Sequence, residues 1–124
     1  MACSALYAMK WQVFFHSEFQ AEFEQLEEEV QDELLALGEL GPNLGRPNVD
    51  TLTGSKFKNM KELRFQLDGV WRFAFAFDPQ RNAIVLCGGD KENENSKRFY
   101  DQLIETADRR FTAHIASQRK VAKE

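Results

Sequence analysis

The sequence predicts a single α+β domain with an N-terminal strand, a helical hairpin, an antiparallel sheet of three to four strands and a C-terminal helix. Apolar residues recur at helical spacing between residues 18 and 40, and the period changes to two between residues 60 and 77. The 124 residues include eleven Phe and two Trp, which is enough bulk for one core without a metal ion or a disulfide. Because the helical spacing and the period of two occur within one chain of this length, we expect the helices and the strands to share one domain.

The N-terminal third contains the first strand and the helical hairpin. Residues 10–16 (KWQVFFH) have the aromatic and β-branched content of a short strand. Residues 1–9 are expected to be an extension outside the domain, with Met9 as an alternative start. Ser17 is the predicted N-cap of the helical segment, which covers residues 18–40 as two helices or one kinked helix.

A loop and two alternating strands follow. Residues 41–59 are predicted to form a loop, which is long for a domain of this size and is therefore a candidate functional segment. Residues 60–67 and 70–77 alternate with a period of two, which predicts two half-buried antiparallel strands. The turn between them then decides which side chains oppose one another.

The turn between these strands is predicted to have three residues, Leu67-Asp68-Gly69, with Gly69 in the left-handed conformation. This register places Arg72 opposite Arg64, whereas a two-residue turn would bury the Arg72 guanidinium on the aromatic face at a high cost. Two opposed arginines repel each other, so the alignment requires an anion between them or a carboxylate such as Glu62 beside them.

The last third contains one more strand and the final helix. Residues 83–87 are continuously apolar, which predicts a central strand that returns antiparallel and ends beside Arg72. Ser96 is the predicted cap of the last helix, whose apolar stripe extends to about residue 116. The domain is therefore predicted to span residues 10–116, and residues 117–124 are expected to fray.

Charge is distributed unevenly along the chain. The net charge is −4, but residues 1–45 carry nine acidic and one basic residue, and residues 46–124 carry fifteen basic and eleven acidic residues. An RNA-binding surface requires positive charge near the phosphates and no global excess, so the net charge does not exclude a nucleic-acid ligand. Ordinary solvated charge remains the alternative.

Several classes of protein are disfavoured by simple features. The sequence contains no stretch of about 18 consecutive apolar residues and no recognisable secretory signal, so a cytoplasmic protein without a membrane partner is expected. Cys3 and Cys87 have no Cys or His partners at metal-ligand spacing, so we expect no disulfide, no metal site and no cofactor. His16 and His114 are isolated along the chain and are expected to be structural.

An ordered set of segments carries a family resemblance over residues 10–115. These segments are LGRPNVDTLTGSKFKNMKELR (44–64), GVWRFAFAFDP (69–79), LCGGDK (86–91) and KRFYDQLIETAD (97–108). Together they resemble the RelE/ParE superfamily of type II toxin–antitoxin systems, and within it the phage-derived, HigB-like subfamily. The resemblance implies the RelE/ParE-like version of the α+β fold already predicted.

The resemblance implies a cytoplasmic, metal-independent endoribonuclease that cleaves ribosome-bound mRNA and so inhibits translation. It implies an antitoxin partner with a helix-turn-helix DNA-binding domain. It also implies an active surface on one sheet face and the adjoining helix start, with catalytic candidates Glu62, Arg64, Arg72, Lys91 and Tyr100. RNA-binding candidates are Arg46, Lys56, Lys58, Lys61, Lys97 and Arg98.

These residue types suit cleavage of RNA by its own 2′-OH, which requires a base, an acid and positive charge at the phosphate. Glu62 could be the base, Arg64, Arg72 and Lys91 could stabilise the transition state, and Tyr100 could stack on a base or transfer a proton. The sequence departs from the RelE pattern because Glu62 replaces an expected lysine and no His lies at the site, which leaves the general base open.

Simpler roles and other functions stay open at this point. Glu62 and Arg64 could form an ordinary surface ion pair, Arg72 could be a structural partner, Lys91 could be solvated, and Tyr100 could be a packing aromatic. The whole chain could instead be a non-enzymatic, ParE-like inhibitor of DNA gyrase, or an inactive phage-derived binding protein.

Overall fold

A computed structural model describes residues 12–40 and 48–123. The predicted extension, residues 1–9, and the RNA-binding candidate Arg46 lie outside these ranges. The described elements, in chain order, are β1 (Gln12–Phe15), α1 (Ser17–Glu24), α2 (Glu28–Leu40), β2 (Val49–Thr51), β3 (Met60–Gln66), β4 (Val70–Phe77), β5 (Asn82–Asp90) and α3 (Ser96–Lys123).

The strands form one five-stranded sheet in the order β1-β5-β4-β3-β2. Strand β1 pairs with β5 in parallel, and the other neighbours are antiparallel. The predicted α+β class is confirmed, as is the central position of the strand at residues 83–87. The loop predicted over residues 41–59 is wrong in part, because Val49–Thr51 form the edge strand β2. A strand of three residues is too short to show the alternation of apolar and polar residues, so the sequence pattern could not predict it.

The register between β3 and β4 is the predicted one, with Arg64 opposite Arg72. The predicted left-handed Gly69 is wrong, because the positive φ of 48° belongs to Asp68. Gly69 is required for another reason: a Cβ there would lie 2.6 Å from a carboxylate oxygen of Asp90. The same carboxylate accepts the Val70 N–H at 2.8 Å, so Asp90 fixes the turn from the end of β5.

Helices cover both faces of the sheet. On one face, Phe19 and the α2 residues Val30 and Leu34 pack against a layer that includes Phe65 and Phe73. On the other face, α3 packs against a layer of mainly small and aliphatic residues, namely Met60, Ala74, Ala76, Ile84, Leu86 and Cys87. The strands were predicted to be half-buried, but Ala74 and Ala76 have no exposed surface. The face that carries Glu62 and Arg72 is therefore covered in part by α3.

Both predicted helix caps are displaced by one residue. His16, and not Ser17, caps α1, because its Nδ1 accepts the N–H of Glu18 at 3.1 Å. Asn95, and not Ser96, caps α3, because its Oδ1 accepts the N–H of Arg98 at 3.0 Å. Each cap is the residue directly before the first helical residue, Ser17 in α1 and Ser96 in α3.

The last helix continues through Lys123, in contrast to the fraying predicted for residues 117–124. The buried carboxylate of Asp78 explains the continuation. Gln118 Nε2 donates to Asp78 Oδ2 at 2.6 Å, and His114 Nε2 lies 3.1 Å from the same oxygen. The Asp78 Oδ1 atom also accepts the backbone N–H groups of Gln80 and Asn82. One carboxylate therefore closes the β4–β5 turn and joins it to α3.

We expect Asp78→Asn to lower the free energy of unfolding by about 1–3 kcal/mol at pH 6, because hydrogen bonds to a buried carboxylate are lost or weakened. Burial by itself raises the pKa of Asp78, but hydrogen bonds from Asn82, His114 and Gln118 hold it below its ordinary 3.8. A lowered pKa stabilises the fold above the ordinary value, and this stabilisation is lost as the pH falls through the folded-state pKa.

Urea unfolding at pH 6 and near pH 2 measures this difference. The gap between wild type and Asp78→Asn should shrink at the lower pH. Asp101→Asn is the control, because Asp101 forms an exposed i,i+4 pair with Lys97, which contributes little. A gap that stays constant between the two pH values would contradict the assignment.

Candidate functional site

Four polar side chains meet on the sheet face that α3 covers, and we call Glu62, Arg64, Arg72 and Tyr100 the polar cluster. Glu62 and Arg64 are two residues apart on β3, so they point to the same face. Arg72 is directly opposite Arg64 on β4. Tyr100 is in the first turns of α3, where the helix crosses this part of the sheet. Residues separated by up to 38 positions in sequence thus form one group.

Arg72 is held rigidly beneath Tyr100. Its Nε donates to the Tyr100 hydroxyl at 3.2 Å, and its Nη1 donates to the Trp71 carbonyl at 2.9 Å. Arg72 is 8% exposed. The resemblance implied a phosphate contact for this arginine, and the geometry instead directs two of its nitrogens at protein atoms.

Arg64 lies beside two carboxylates. Its Nε lies 3.5 Å from Glu62 Oε1, and its Nη1 lies 3.8 Å from Asp50 Oδ2. The repulsion between the two opposed arginines is therefore offset by carboxylates. The predicted register required either such a carboxylate or a bound anion. The Arg64 side chain is 37% exposed, so this guanidinium is the cation of the cluster that solvent reaches.

Glu62 is a buried carboxylate with incomplete hydrogen bonding. The residue is 7% exposed, and its Oε2 is fully buried without a hydrogen-bond partner among the described residues. Leaving such an oxygen unpaired costs free energy, which makes Glu62 a candidate functional residue.

Tyr100 is held in its neutral form. Burial raises the pKa of its hydroxyl, the hydrogen bond from Arg72 lowers it, and the neighbouring Glu62 carboxylate raises it again, so that the pKa lies above the ordinary value of 10.0. The hydroxyl oxygen accepts from Arg72 Nε, and the hydroxyl hydrogen is directed towards the Glu62 carboxylate.

Lys91 lies at the same end of the sheet as the polar cluster, and within the described part of the chain its side chain forms no hydrogen bond or ion pair with the cluster. Its backbone N–H donates to the Val70 carbonyl at 2.9 Å, directly after the end of β5. The preceding residue, Asp90, accepts the N–H groups of Val70 and Glu92. Asp90 therefore fixes both the start of β4, to which Lys91 bonds, and the residue after Lys91.

The RNA-binding candidates occupy three different places. Lys56 and Lys58 are exposed in the loop before β3, and Asp108 of α3 fixes that loop through Ser55 Oγ at 2.5 Å and the Lys56 N–H at 3.1 Å. Lys97 and Arg98 are exposed in the first turn of α3, near Tyr100, and Lys97 pairs with Asp101.

Lys61 is the exception among these candidates. The alternation of β3 directs it to the face opposite Glu62 and Arg64, and its Nζ lies 3.4 Å from Thr51 Oγ1. It is therefore separated from the polar cluster by the sheet.

Asp50 was missed by the sequence reasoning. It lies on β2 directly opposite Glu62, and it is the second carboxylate near Arg64. The strand β2 has no periodicity of its own, so no sequence pattern indicated on which face Asp50 lies.

The polar cluster combines an unpaired carboxylate oxygen, a neutral phenol and two guanidinium groups. Such a set can accept a proton, donate a proton and stabilise a negatively charged oxygen. Among the described residues, no group of three or more His, Cys, Asp and Glu side chains could hold a metal ion, and no helix is both long and apolar enough to cross a membrane.

Comparisons with known proteins identify related sequences. Residues 18–112 match the family model described as "Phage derived protein Gp49-like (DUF891)". Two similar proteins come from Mycobacterium tuberculosis (strain ATCC 25618 / H37Rv). "Putative toxin HigB3" is 53% identical over 78 residues, which are 63% of this chain and 67% of that protein. "Putative toxin HigB2" is 49% identical over 82 residues, which are 64% of this chain and 40% of that protein.

Proposed function

Because this chain belongs to the phage-derived Gp49-like protein family, we propose that it is the toxin of a type II toxin–antitoxin pair and inhibits translation as a ribosome-dependent mRNA endonuclease. Two relatives that share about half of their aligned residues with this chain carry toxin names. The observation on which the nuclease proposal rests is the polar cluster, because it combines the groups that RNA cleavage requires.

The proposed reaction uses the 2′-OH of the RNA as the nucleophile. Its oxygen attacks the adjacent phosphorus while Glu62 accepts the hydroxyl proton, and the bond to the 5′-oxygen breaks as that oxygen accepts a proton from Tyr100. The products are a 2′,3′-cyclic phosphate and a 5′-hydroxyl end. The unpaired Oε2 of Glu62 and the neutral hydroxyl of Tyr100 support this division of roles.

The arginines have separate roles in this proposal. Arg64 stabilises the phosphate oxygens, because it is the more exposed of the two and its carboxylate contacts are long. Separations of 3.5 and 3.8 Å exceed the roughly 2.7–2.9 Å of a strong charge-assisted hydrogen bond, so a phosphate can compete for this guanidinium. Arg72 positions Tyr100 through Nε. Lys91 adds positive charge at the same end of the sheet.

The RNA backbone is proposed to follow the exposed cations of the loop before β3 and of the first turn of α3, namely Lys56, Lys58, Lys97 and Arg98. Arg46 and Lys61 were candidates for the same role, and Lys61 is the weaker because it lies on the other face of β3. Contacts of this kind make binding depend on salt concentration, since each phosphate contact releases counterions. The helix-turn-helix antitoxin and the ribosome are the proposed partners.

A purified translation reaction followed by primer extension on the message tests the nuclease proposal. Wild type should give discrete cleavage products, and Arg72→Ala should lose them because Tyr100 is no longer positioned. Arg119→Ala is the matched control, since Arg119 is exposed near the far end of α3, and it should cleave normally.

Thermal unfolding of each variant, together with the less disruptive Tyr100→Phe, separates loss of chemistry from loss of fold. Intact message with wild type, or full activity in folded Arg72→Ala, would refute the nuclease proposal. Growth after induction with and without the neighbouring gene tests the toxin proposal separately. A DNA-damage response without translation arrest would favour a gyrase inhibitor instead.

A further inference from the structure

The sheet is open at the edge formed by β1. This strand pairs with β5 on one side, and the described residues place no strand on the other. The backbone groups of successive residues point to alternate sides of a strand. Because the His16 N–H donates to the Val85 carbonyl, the Phe14 backbone also faces β5. The N–H and C=O groups of Val13 and Phe15 therefore point away from the sheet.

The side chains on this edge are apolar and exposed. Val13 is 37% exposed and Phe14 is 47% exposed, and adjacent residues of a strand project from opposite faces. Soluble proteins protect such edges with charged residues, proline or bulges, because an open edge pairs with other chains. The sequence of β1, QVFF, has no charged residue and no proline, and its four residues can pair with a short extended segment.

A groove runs beside this edge, between β1 and the second half of α3. Its volume is about 590 Å³, and Phe14, Ile84, Ala113, His114 and Ser117 are among the residues that line it. Phe14 and Ile84 are paired neighbours on β1 and β5, and they give the groove an apolar wall. A strand added to β1 would direct every second side chain towards this face.

Charge distinguishes among the ligands that could occupy the edge. Residues 12–36 contain eight Asp and Glu residues and no Lys or Arg. Glu18 pairs with Arg109 and Glu22 with Arg110, and the other six acidic residues of this segment have no basic partner among the described residues. Glu18 also lines the groove. This charge repels RNA and attracts a cationic peptide.

We propose that β1 is a docking edge for an extended, basic segment of a partner polypeptide. The segment adds a strand to the sheet at Val13 and Phe15, inserts apolar side chains into the groove beside Phe14, and places Lys or Arg residues near the acidic helices. The polar cluster lies on β3, β4 and the start of α3, so strand addition at β1 leaves it uncovered. The inference is therefore independent of the proposed nuclease activity.

Fluorescence anisotropy with the full chain and two labelled peptides tests the proposal. One peptide has the sequence KVKVKIK, and the other has Glu in place of every Lys. We expect the basic peptide to bind at least about tenfold more tightly at low salt, and the difference to shrink at high salt as the charges are screened. Equal binding of the two peptides would overturn the basic specificity.

Val13→Pro tests strand addition directly. It removes an N–H that faces away from β5, so the native pairing survives, and we expect peptide binding to be lost while the thermal unfolding temperature changes little. Phe14→Ser should weaken binding about tenfold or more, since an apolar anchor is lost. Leu35→Ser is the matched control, because Leu35 is equally exposed at 48% but lies on α2, and it should bind as wild type does.

Unchanged binding by folded Val13→Pro would overturn the proposal. Displacement of the peptide by a single-stranded RNA oligonucleotide would also overturn it. Sedimentation of the peptide-free protein tests whether a second copy of this chain occupies the edge instead. If the wild-type protein is a dimer and Val13→Pro is a monomer, the edge binds a second copy, and the assignment to a basic partner is overturned. Should the nuclease proposal fail, these binding results are unaffected.

Discussion

Glu62→Gln is expected to lower the rate constant for mRNA cleavage about 10²–10⁴-fold, the contribution that general acid–base catalysis typically makes. Glu62 is the one member of the polar cluster that has a buried, unpaired carboxylate oxygen. Glutamine keeps the size and the carbonyl oxygen of the side chain but cannot act as a base at neutral pH. Single-turnover cleavage of a ribosome-bound message, with this protein in excess, measures the effect on the chemical step.

The same substitution should leave the free energy of unfolding within about 1 kcal/mol of wild type. A buried charge with one oxygen unpaired contributes little net stability, and its pair with Arg64 is long. This combination of lost activity and retained stability is typical of a residue kept for function. Asp50→Asn is the matched control, since it alters the other carboxylate beside Arg64 and should reduce the rate far less. A wild-type rate in Glu62→Gln would exclude Glu62 as the base.

Arg110→Ala is expected to lower the free energy of unfolding by about 3 kcal/mol, the lower end of the range for removing one partner of a buried ion pair. Arg110 is 6% exposed. Its two terminal nitrogens donate to both carboxylate oxygens of Glu22, at 2.8 and 2.5 Å, and Nη1 also donates to the Leu86 carbonyl at 2.7 Å. The lower end applies because the Glu22 side chain is 49% exposed.

The Leu86 carbonyl explains why a buried arginine is needed here. Ala74 pairs with Cys87 and Phe75 pairs with Val85, so Leu86 is an extra residue in β5, a β-bulge. The guanidinium of Arg110 bonds to the carbonyl at this irregularity and joins α3 to α1 through Glu22. Without it, a buried carbonyl would lose a partner, and the packing of the arginine stem would be lost as well.

Urea unfolding compares Arg110→Ala with Arg109→Ala. The neighbouring Arg109 pairs with Glu18 at 3.6 Å, and both side chains are more than half exposed, so its removal should cost only about 0–1 kcal/mol. Equal effects of the two substitutions would show that burial does not strengthen the Arg110 contacts. A drop near 3 kcal/mol for Arg110 alone would agree with the geometry.

The sequence predicted much of the fold because local patterns determine it. The change of hydrophobic period located the helices and the strands β3 and β4, and the cost of burying an arginine on an aromatic face selected the correct register. The same reasoning placed Arg64 opposite Arg72 and required a carboxylate or an anion beside them. For the candidate site, it named Glu62, Arg64, Arg72 and Tyr100 but not which of them touch.

Other features depend on residues that are distant in the chain. Asp50 reaches Arg64 only because the short strand β2 adds to the edge of β3. The helix α3 extends past residue 116 because Asp78 binds His114 and Gln118. None of these contacts has a period or a spacing that a single sequence displays.

The sequence by itself determined the α+β class, the alternation that puts three charged residues on one sheet face, and the order of the elements other than β2. Tertiary structure alone decided that α3 covers this face, that Tyr100 bonds to Arg72, and that Glu22 binds Arg110 from 88 positions away. The physical reason is range. Alternation and helical spacing follow from backbone geometry over a few residues, whereas burial and ion pairing depend on how whole elements pack against one another.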